Sequence, residues 1–135
     1  MNLTGGPTEI ADANALTLGN LATGDLTATS NGALSLGQGS AASINATSNN
    51  GAIVQSGPLA VAGTTTLNAG TGTITLTEAT NSFGGALGIA GGNTAIAAAS
   101  DLTLGDGSVG GTLALTSGGA ITPVSYTHLT LPTKA

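Results

Sequence analysis

The chain has 135 residues, of which only 5% are charged, and its net charge at neutral pH is −5. Its single basic residue, Lys134, cannot neutralise a row of phosphates, so the composition excludes nucleic-acid binding and attraction to anionic lipid. The chain has no cysteine for disulfide or thiolate chemistry. It also has no apolar run near the ~20 residues that a membrane-spanning helix needs.

The first ten residues, MNLTGGPTEI, lack the basic end and the apolar centre of a signal peptide. We interpret them as an entry into the middle of a longer protein, in which Met1 is not the natural start.

The main signal along the chain is an internal repeat. LTLGNLATGDLTATSNGAL, which starts at Leu16, returns as LTLGDGSVGGTLALTSGGAI, which starts at Leu102. A shorter motif, Gly-Ala followed by Leu or Ile, begins at Gly32, Gly51, Gly85 and Gly119. Its first spacing, from Gly32 to Gly51, fits one structural turn, and each of the two longer spacings that follow fits two shorter turns.

Between the glycines, apolar and polar residues alternate. In TGTITLTEA, residues 71–79, threonines occupy one face while Ile74 and Leu76 occupy the other. A period of two with β-branched partners predicts short strands, each with one apolar and one polar face. Gly, Asn, Asp and Ser punctuate these strands, as tight turns require.

Two architectures fit short strands separated by regular turns. An antiparallel meander is supported by Asn31-Gly32 and Asn50-Gly51, which are good hairpin turns. A parallel β-helix is favoured by the sequence repeats, by a narrow aliphatic core and by the near absence of charge. We therefore predict an all-β parallel β-helix, or solenoid, of about six rungs, with these residues among those facing inward: Leu26, Leu34, Ile44, Ile53, Leu67, Ile74, Leu76, Leu102, Leu104, Leu113 and Leu115.

The repeat residues resemble a known family. LTLGNLATGDLTATSNGA, SGPLAVAGTTTLNAGTGTITLTEATNSFGGALGI and DLTLGDGSVGGTLALTSGGAIT are similar to the β-strand repeats of large bacterial exoproteins of the filamentous-haemagglutinin type. The resemblance covers residues 11–122 and is most specific in VAGTTTLNAGTGTITL. It implies a right-handed β-helix, two-partner secretion through a dedicated outer-membrane pore, and a role in adhesion at the cell surface.

The last residues differ from the rest. Tyr126, His128 and Lys134 are the only residues of their types and all lie in this stretch. Residues 124–133, VSYTHLTLPT, resemble the translation of a transposon-end sequencing adapter. We therefore divide the chain into a β-helix shaft fragment, residues 1–123, and a non-native tail, residues 124–135, that we expect to be disordered or loosely attached.

The candidates for chemistry are few. Asp101 and Asp106 could form a carboxylate pair for glycoside hydrolysis, but the repeats offer no Arg, Lys or Tyr to hold a sugar, and both acids are typical turn residues. His128 beside Tyr126 has no acid near it in sequence. A row of threonines, Thr73, Thr75 and Thr77, resembles an ice-binding ladder, but Thr64, Thr112 and Thr116 do not keep one spacing.

We therefore assign no catalytic residue, no cofactor-binding residue and no metal ligand. The sequence predicts a non-enzymatic shaft segment of a secreted or cell-surface bacterial adhesin. The expected partners are a host-cell, matrix or glycan surface, bound by the full-length protein, and the secretion pore. End-to-end self-association is also expected, because strand edges are exposed at both ends of the coil. Two alternatives remain open: a fragment of a polysaccharide-acting β-helix enzyme, and a low-complexity, silk-like secreted polymer.

Overall fold

The computed structural model describes residues 3–122, 125–126 and 133–134. In this part of the chain the regular secondary structure is short β-strand, as predicted, with no helix. The strands are, in chain order, β1 (Leu3–Thr4), β2 (Thr8–Asp12), β3 (Leu16–Thr17), β4 (Asn20–Ala22), β5 (Asp25–Ser30), β6 (Leu34–Ser35), β7 (Gln38–Ala41), β8 (Ser43–Thr47), β9 (Ile53–Val54), β10 (Leu59–Val61), β11 (Thr65–Asn68), β12 (Ile74–Leu76), β13 (Ser82–Phe83), β14 (Ala86–Gly91), β15 (Thr94–Ala98), β16 (Leu102–Leu104), β17 (Asp106–Val109), β18 (Leu113–Ser117), β19 (Ile121–Thr122), β20 (Ser125–Tyr126) and β21 (Thr133–Lys134).

Successive strands fall into three different parallel sheets, and every third strand returns to the same sheet through most of the chain. The first sheet has the order β1-β4-β7-β10-β13 and the second has β19-β16-β14-β11-β8-β5-β2, with β17 between β14 and β20. The third has the order β21-β18-β15-β12-β9-β6-β3. The chain is thus a parallel β-solenoid of about six turns, as predicted.

The structure rejects the antiparallel meander. Asn31-Gly32 joins β5 to β6, and Asn50-Gly51 joins β8 to β9. In each case the two strands belong to different sheets, so neither turn closes a hairpin. These residues turn the chain around a corner of the coil instead.

Register along the third sheet gives the length of a turn. Leu16 pairs with Leu34, which pairs with Ile53, and Ile53 pairs with Ile74. Each of these intervals is one turn, and they are not all equal. The interval from Leu34 to Ile53 has the same length as that from Gly32 to Gly51, so the first spacing of the Gly-Ala motif is one turn, as predicted.

The core is a set of aliphatic columns between the three sheets. All eleven residues predicted to face inward are buried, and none is more than 2% exposed. Phe83 is the aromatic side chain within this cluster, so Leu, Ile, Val and Ala supply nearly all of the packing. Each column places equivalent apolar residues of successive turns in contact, which removes them from water.

Two corners of the coil are lined by glycine because successive turns approach closely there. At the corner between the second and third sheets, a Cβ on Gly51 would overlap the backbone of Gly32, and a Cβ on Gly72 would overlap Gly51. At the corner between the first and second sheets, the N–H of Gly85 donates to Gly63 O at 2.9 Å, and that of Gly63 donates to Ala42 O at 2.7 Å. These corners explain the regular recurrence of glycine.

The long repeat does not stay on one face of the coil. Leu16 lies in β3 of the third sheet, whereas its sequence counterpart Leu102 lies in β16 of the second sheet. Likewise, Gly32 and Gly51 precede strands of the third sheet, but Gly85 and Gly119 precede strands of the second. Gly85 and Gly119 therefore precede strands of the same sheet, but the register places Thr122, and not Ala120, two turns after Ala86, so this spacing falls short of two full turns. The spacing from Gly51 to Gly85 ends on a different sheet. The repeat changes from one sheet to another because the turns differ in length and because the same alternating pattern suits any face of the coil.

The boundary predicted between residues 123 and 124 lies outside the described residues. In the segment 124–135, the described strands β20 and β21 pair in parallel with β17 and β18. The interpretation of this segment as adapter-derived stays a prediction.

Candidate functional site

The acidic candidate that the structure describes has a structural role. Asp101 is exposed at a corner, and its Oδ1 accepts a hydrogen bond at 2.9 Å from the backbone N–H of Ala120 in the next turn. The side chain of Asp106 lies outside what the structure describes, as does the whole of His128, so neither of the candidate pairings that were set aside in the sequence can be placed. Asp101 therefore acts as a turn residue that links neighbouring turns.

The same link recurs with asparagine. Asn50 Oδ1 accepts from the N–H of Thr71 at 2.9 Å, and Asn93 Oδ1 accepts from the N–H of Thr112 at 3.0 Å. In both cases a corner side chain satisfies a backbone donor of the following turn. Such donors have no strand partner at a corner, so these bonds remove the cost of leaving them unpaired.

Side chains also pair with one another from turn to turn. Gln38 Nε2 donates to Asn20 Oδ1 at 2.9 Å, and Ser43 Oγ donates to Asp25 Oδ1 at 2.9 Å. Within the described residues, no group of three or more His, Cys, Asp or Glu residues is arranged to hold a metal ion.

Among the described residues, a polar site joins a half-buried amide, Gln55, to a fully buried one, Asn81. Gln55 Nε2 donates to Asn81 Oδ1 at 2.8 Å, and Asn81 Nδ2 donates back to Gln55 Oε1 at 2.9 Å. Asn81 Oδ1 also accepts from the N–H of Leu59 at 2.8 Å, and Asn81 Nδ2 donates to Ala97 O at 3.0 Å. Asn81 is fully buried, so this pair holds three successive turns together at a corner.

Sequence reasoning did not single out this pair. Gln55 and Asn81 lie in connections between strands, where no alternating pattern marks a residue as buried. The one available signal was an amide residue within the connection that follows an apolar strand, and that signal is too common to be specific.

A second feature is a polar array on the outer face of the second sheet. Register places Thr27 beside Asn45, and Asn45 beside Thr66, in one column. The parallel column contains Thr29, Thr47 and Asn68.

The aligned outward-facing side chains of this array can be compared with the threonine row considered from the sequence. The threonines considered from the sequence lie in or beside β12 and β18 of the third sheet, except Thr64 beside β11, whereas the aligned polar residues are those of β5, β8 and β11 in the second sheet. The array is limited to three strands, because β2 places Glu9 and Ala11 in these columns and β14 places Gly88 and Ala90.

A third feature is a shallow open groove of about 210 Å³ on the third sheet. It crosses β12, β15 and β18 and is lined by Thr73, Ile74, Thr75, Asn93, Thr94, Ala95, Thr112 and Ala114. Its lining is uncharged and combines hydroxyl, amide and methyl groups. It contains no acid, base or nucleophile pair of the kind that catalysis needs.

One buried polar atom has no partner among the described residues. Thr65 is 1% exposed, and its Oγ1 makes no hydrogen bond. It lies in a core column between Ile44 and Leu87. Its hydroxyl therefore reduces stability, since an unpaired buried hydroxyl costs about 1–3 kcal/mol.

The comparisons with known proteins identify a family. The chain matches the profile of "Repeats of unknown function (DUF5649)" over residues 23–90 and 91–131. The match covers well over half of the sequence, so the chain belongs to this family of repeats. A search of the curated proteins and a search of the solved structures gave no significant match. Within the residues that the structure describes, no helix is long and apolar enough to cross a membrane.

Proposed function

We propose that this repeat solenoid is a shaft segment of a secreted or cell-surface bacterial adhesin and that it carries no catalysis. The observation that supports the proposal most strongly is the use of polar side chains to join successive turns. Asn50, Asn93 and Asp101 each bond the backbone of the next turn, and Asn81 joins three turns. Side chains that bond from one turn to the next join the turns into one continuous coil.

The geometry of the coil suits a spacer. Parallel strands stack about 4.8 Å apart, so about six turns extend roughly 30 Å along the axis. Most strands inside the stack have hydrogen-bonded neighbours on both sides, with β13 an exception among the described strands, and this pairing resists bending. A longer array of such turns would hold a binding element away from a cell surface.

The proposal includes export and partners. The resemblance to filamentous-haemagglutinin-type repeats favours passage through a dedicated outer-membrane pore, and a chain without cysteine suits passage in an unfolded state. Host-cell, matrix or glycan surfaces are the proposed partners of the full-length protein. No residue of this chain is assigned to that contact.

The DNA on either side of the coding region tests the proposal. We expect an open reading frame that continues beyond residue 122 with further turns of similar length, preceded by a secretion domain. A frame that encodes no further turns, with a natural start at Met1, would contradict the shaft.

Antibody labelling of the source cells tests the location separately. Antibodies raised against the chain are expected to label intact cells as strongly as permeabilised cells. Labelling that requires permeabilisation would exclude a surface location.

Enzyme assays address the proposed absence of catalysis. We expect no release of products from a panel of polyuronates and neutral polysaccharides. An activity that the Asp101→Asn substitution abolishes would overturn this part of the proposal, because Asp101 is the described acid that the sequence offered for it.

A further inference from the structure

We infer that Asn31 is a site of spontaneous covalent modification and that Asn50, at the equivalent corner one turn later, is protected from it. This inference stands independently of the proposed function. Each asparagine is exposed and is followed by glycine, Gly32 or Gly51. Each corner also has a serine hydroxyl that donates to the glycine carbonyl, at 2.7 Å from Ser30 and at 2.6 Å from Ser48. The second corner has one more residue, Asn49, between the serine and the asparagine, and Asn50 has a φ of 76°, so the two sites share their chemistry and differ in conformation.

The chemistry needs only water. The backbone nitrogen of the glycine attacks Cγ of the asparagine side chain, a new C–N bond forms, and the C–NH2 bond breaks. The amide nitrogen leaves as ammonia and takes the proton of the attacking N–H, which produces a five-membered succinimide. Water then opens the ring at either carbonyl and gives aspartate or isoaspartate. No electron is transferred, and a following glycine favours the attack because it has no side chain in the way.

At Asn50 hydrogen bonds restrain both the side-chain amide and the attacking backbone nitrogen. Its Oδ1 accepts hydrogen bonds from the N–H of Thr71 at 2.9 Å and from Thr71 Oγ1 at 3.2 Å. The attacking group, the N–H of Gly51, donates to Ser48 O at 3.2 Å. Ring closure would have to break these bonds and move the corner, where Gly51 packs against the backbone of Gly32.

At Asn31 the restraints are fewer. Its Oδ1 accepts from Asn49 Nδ2 at 2.7 Å, which is a bond to a side chain and not to a backbone group. Within the described residues, the N–H of Gly32 donates no hydrogen bond, so the attacking nitrogen is available. The N–H of Asn31 itself donates to Asn14 O at 3.3 Å, so the backbone restraint at this corner lies on the asparagine and not on the attacking nitrogen.

The products would change this corner. Aspartate keeps an acceptor for Asn49 Nδ2 and adds one negative charge. Isoaspartate also lengthens the backbone by one carbon between β5 and β6. Because the strands on either side are paired in register with β2 and β8 and with β3 and β9, the added length has to be absorbed by the turn itself.

The experiment measures both sites in one molecule. The full chain is incubated in mildly alkaline buffer, and modification at each asparagine is followed by mass spectrometry with fragmentation of the intact chain. We expect Asn31 to be modified roughly tenfold faster than Asn50, or more, because Asn50 must break additional hydrogen bonds before reaction. In urea at a concentration that unfolds the chain, we expect the two rates to converge.

A variant checks the assignment of the nucleophile. A Cβ on Gly32 would lie 3.3 Å from Ala15 N, a contact that a small shift relieves. Gly32→Ala is therefore expected to slow modification of Asn31 in the folded and the unfolded chain, while the rate at Asn50 stays unchanged. Equal rates at Asn31 and Asn50 in the folded chain, or a faster rate at Asn50, would overturn the inference. The inference would also be overturned if folding slowed the modification of Asn31 by the same factor as that of Asn50.

Discussion

The side chain of Asn81 is fully buried, yet both of its polar atoms have partners. Its amide is shared among backbone groups of three turns and the side chain of Gln55. A buried polar network of this kind stabilises the fold only while every member is bonded. Removing Asn81 leaves the buried N–H of Leu59 and the buried carbonyl of Ala97 without this partner.

We predict that Asn81→Leu destabilises the chain by about 3 kcal/mol or more, because Leu59 N–H, Ala97 O and the Gln55 amide would each lose a bond. Urea unfolding followed by far-UV circular dichroism measures the change. Asn45→Leu is the matched control: Asn45 is exposed on a strand face, and its substitution is expected to change stability by less than about 0.5 kcal/mol. Equal effects of the two substitutions would contradict the role assigned to Asn81.

Residue burial was predictable where a strand alternates. Ile74 and Leu76 are buried and their threonine neighbours Thr73, Thr75 and Thr77 are exposed, as the pattern of residues 71–79 indicates. Gln55 and Asn81 could not be found in the same way, because burial in a connection depends on which turn lies above it. That information is in the register and not in the local sequence.

At the scale of the element, the corners decide how closely turns can stack. Strands tolerate many side chains, since each outward residue points away from the coil. At a glycine corner the Cβ would point into the backbone of the preceding turn, as it does at Gly51 and Gly72. Glycine is required there by space, independently of its conformational freedom.

We predict that Gly51→Ala destabilises the chain by about 2–3 kcal/mol, because the new methyl group would overlap backbone atoms of Gly32 that cannot move without disturbing two sheets. Gly32→Ala is the control, with its Cβ 3.3 Å from the nearest backbone atom, and should cost about 1 kcal/mol or less. Thermal unfolding of both variants gives the comparison. If Gly32→Ala proves the more damaging, the packing of this corner is not as described.

The strands themselves were predictable, but their assignment to sheets was not. The Gly-Ala motif marks a strand start at each of its four sites, whichever sheet that strand joins. Since every face of the coil needs the same alternation of apolar and polar residues, a motif cannot specify its face. The variable connections, which set the length of each turn, determine where the strand arrives.

At the scale of the whole molecule, the isolated chain exposes unpaired strand edges at its first turn, and such edges favour association. Among the described residues, β1, β2 and β3 each pair with a strand on one side only. Ile10 and Leu3 are half-buried there and pack against the core. The structure adds a detail that composition alone could not give: Glu9 and Asp12 lie on the edge strand β2 and place negative charge at this end.

We predict that the isolated chain self-associates through this end and that added salt strengthens the association by screening Glu9 and Asp12. Sedimentation velocity over a range of concentrations measures it. Ile10→Asp, which puts a charge into the core side of the edge strand, should weaken association, whereas Thr66→Asp on the interior strand β11 should not. A monodisperse monomer at all concentrations and salt levels would contradict this expectation.

The most direct test of the account is whether residues one turn apart are neighbours, since shaft, corners and network all depend on that stacking. Ser35 pairs with Val54, and Val54 pairs with Thr75, so Thr75 is two turns from Ser35, about 10 Å away. The chain has no native cysteine, so introduced pairs report cleanly. Under mild oxidation at low concentration, Ser35→Cys with Val54→Cys is expected to form an intramolecular disulfide, while Ser35→Cys with Thr75→Cys stays reduced. Failure of the first pair, or equal reaction of the second, would contradict the solenoid register and with it the proposed shaft.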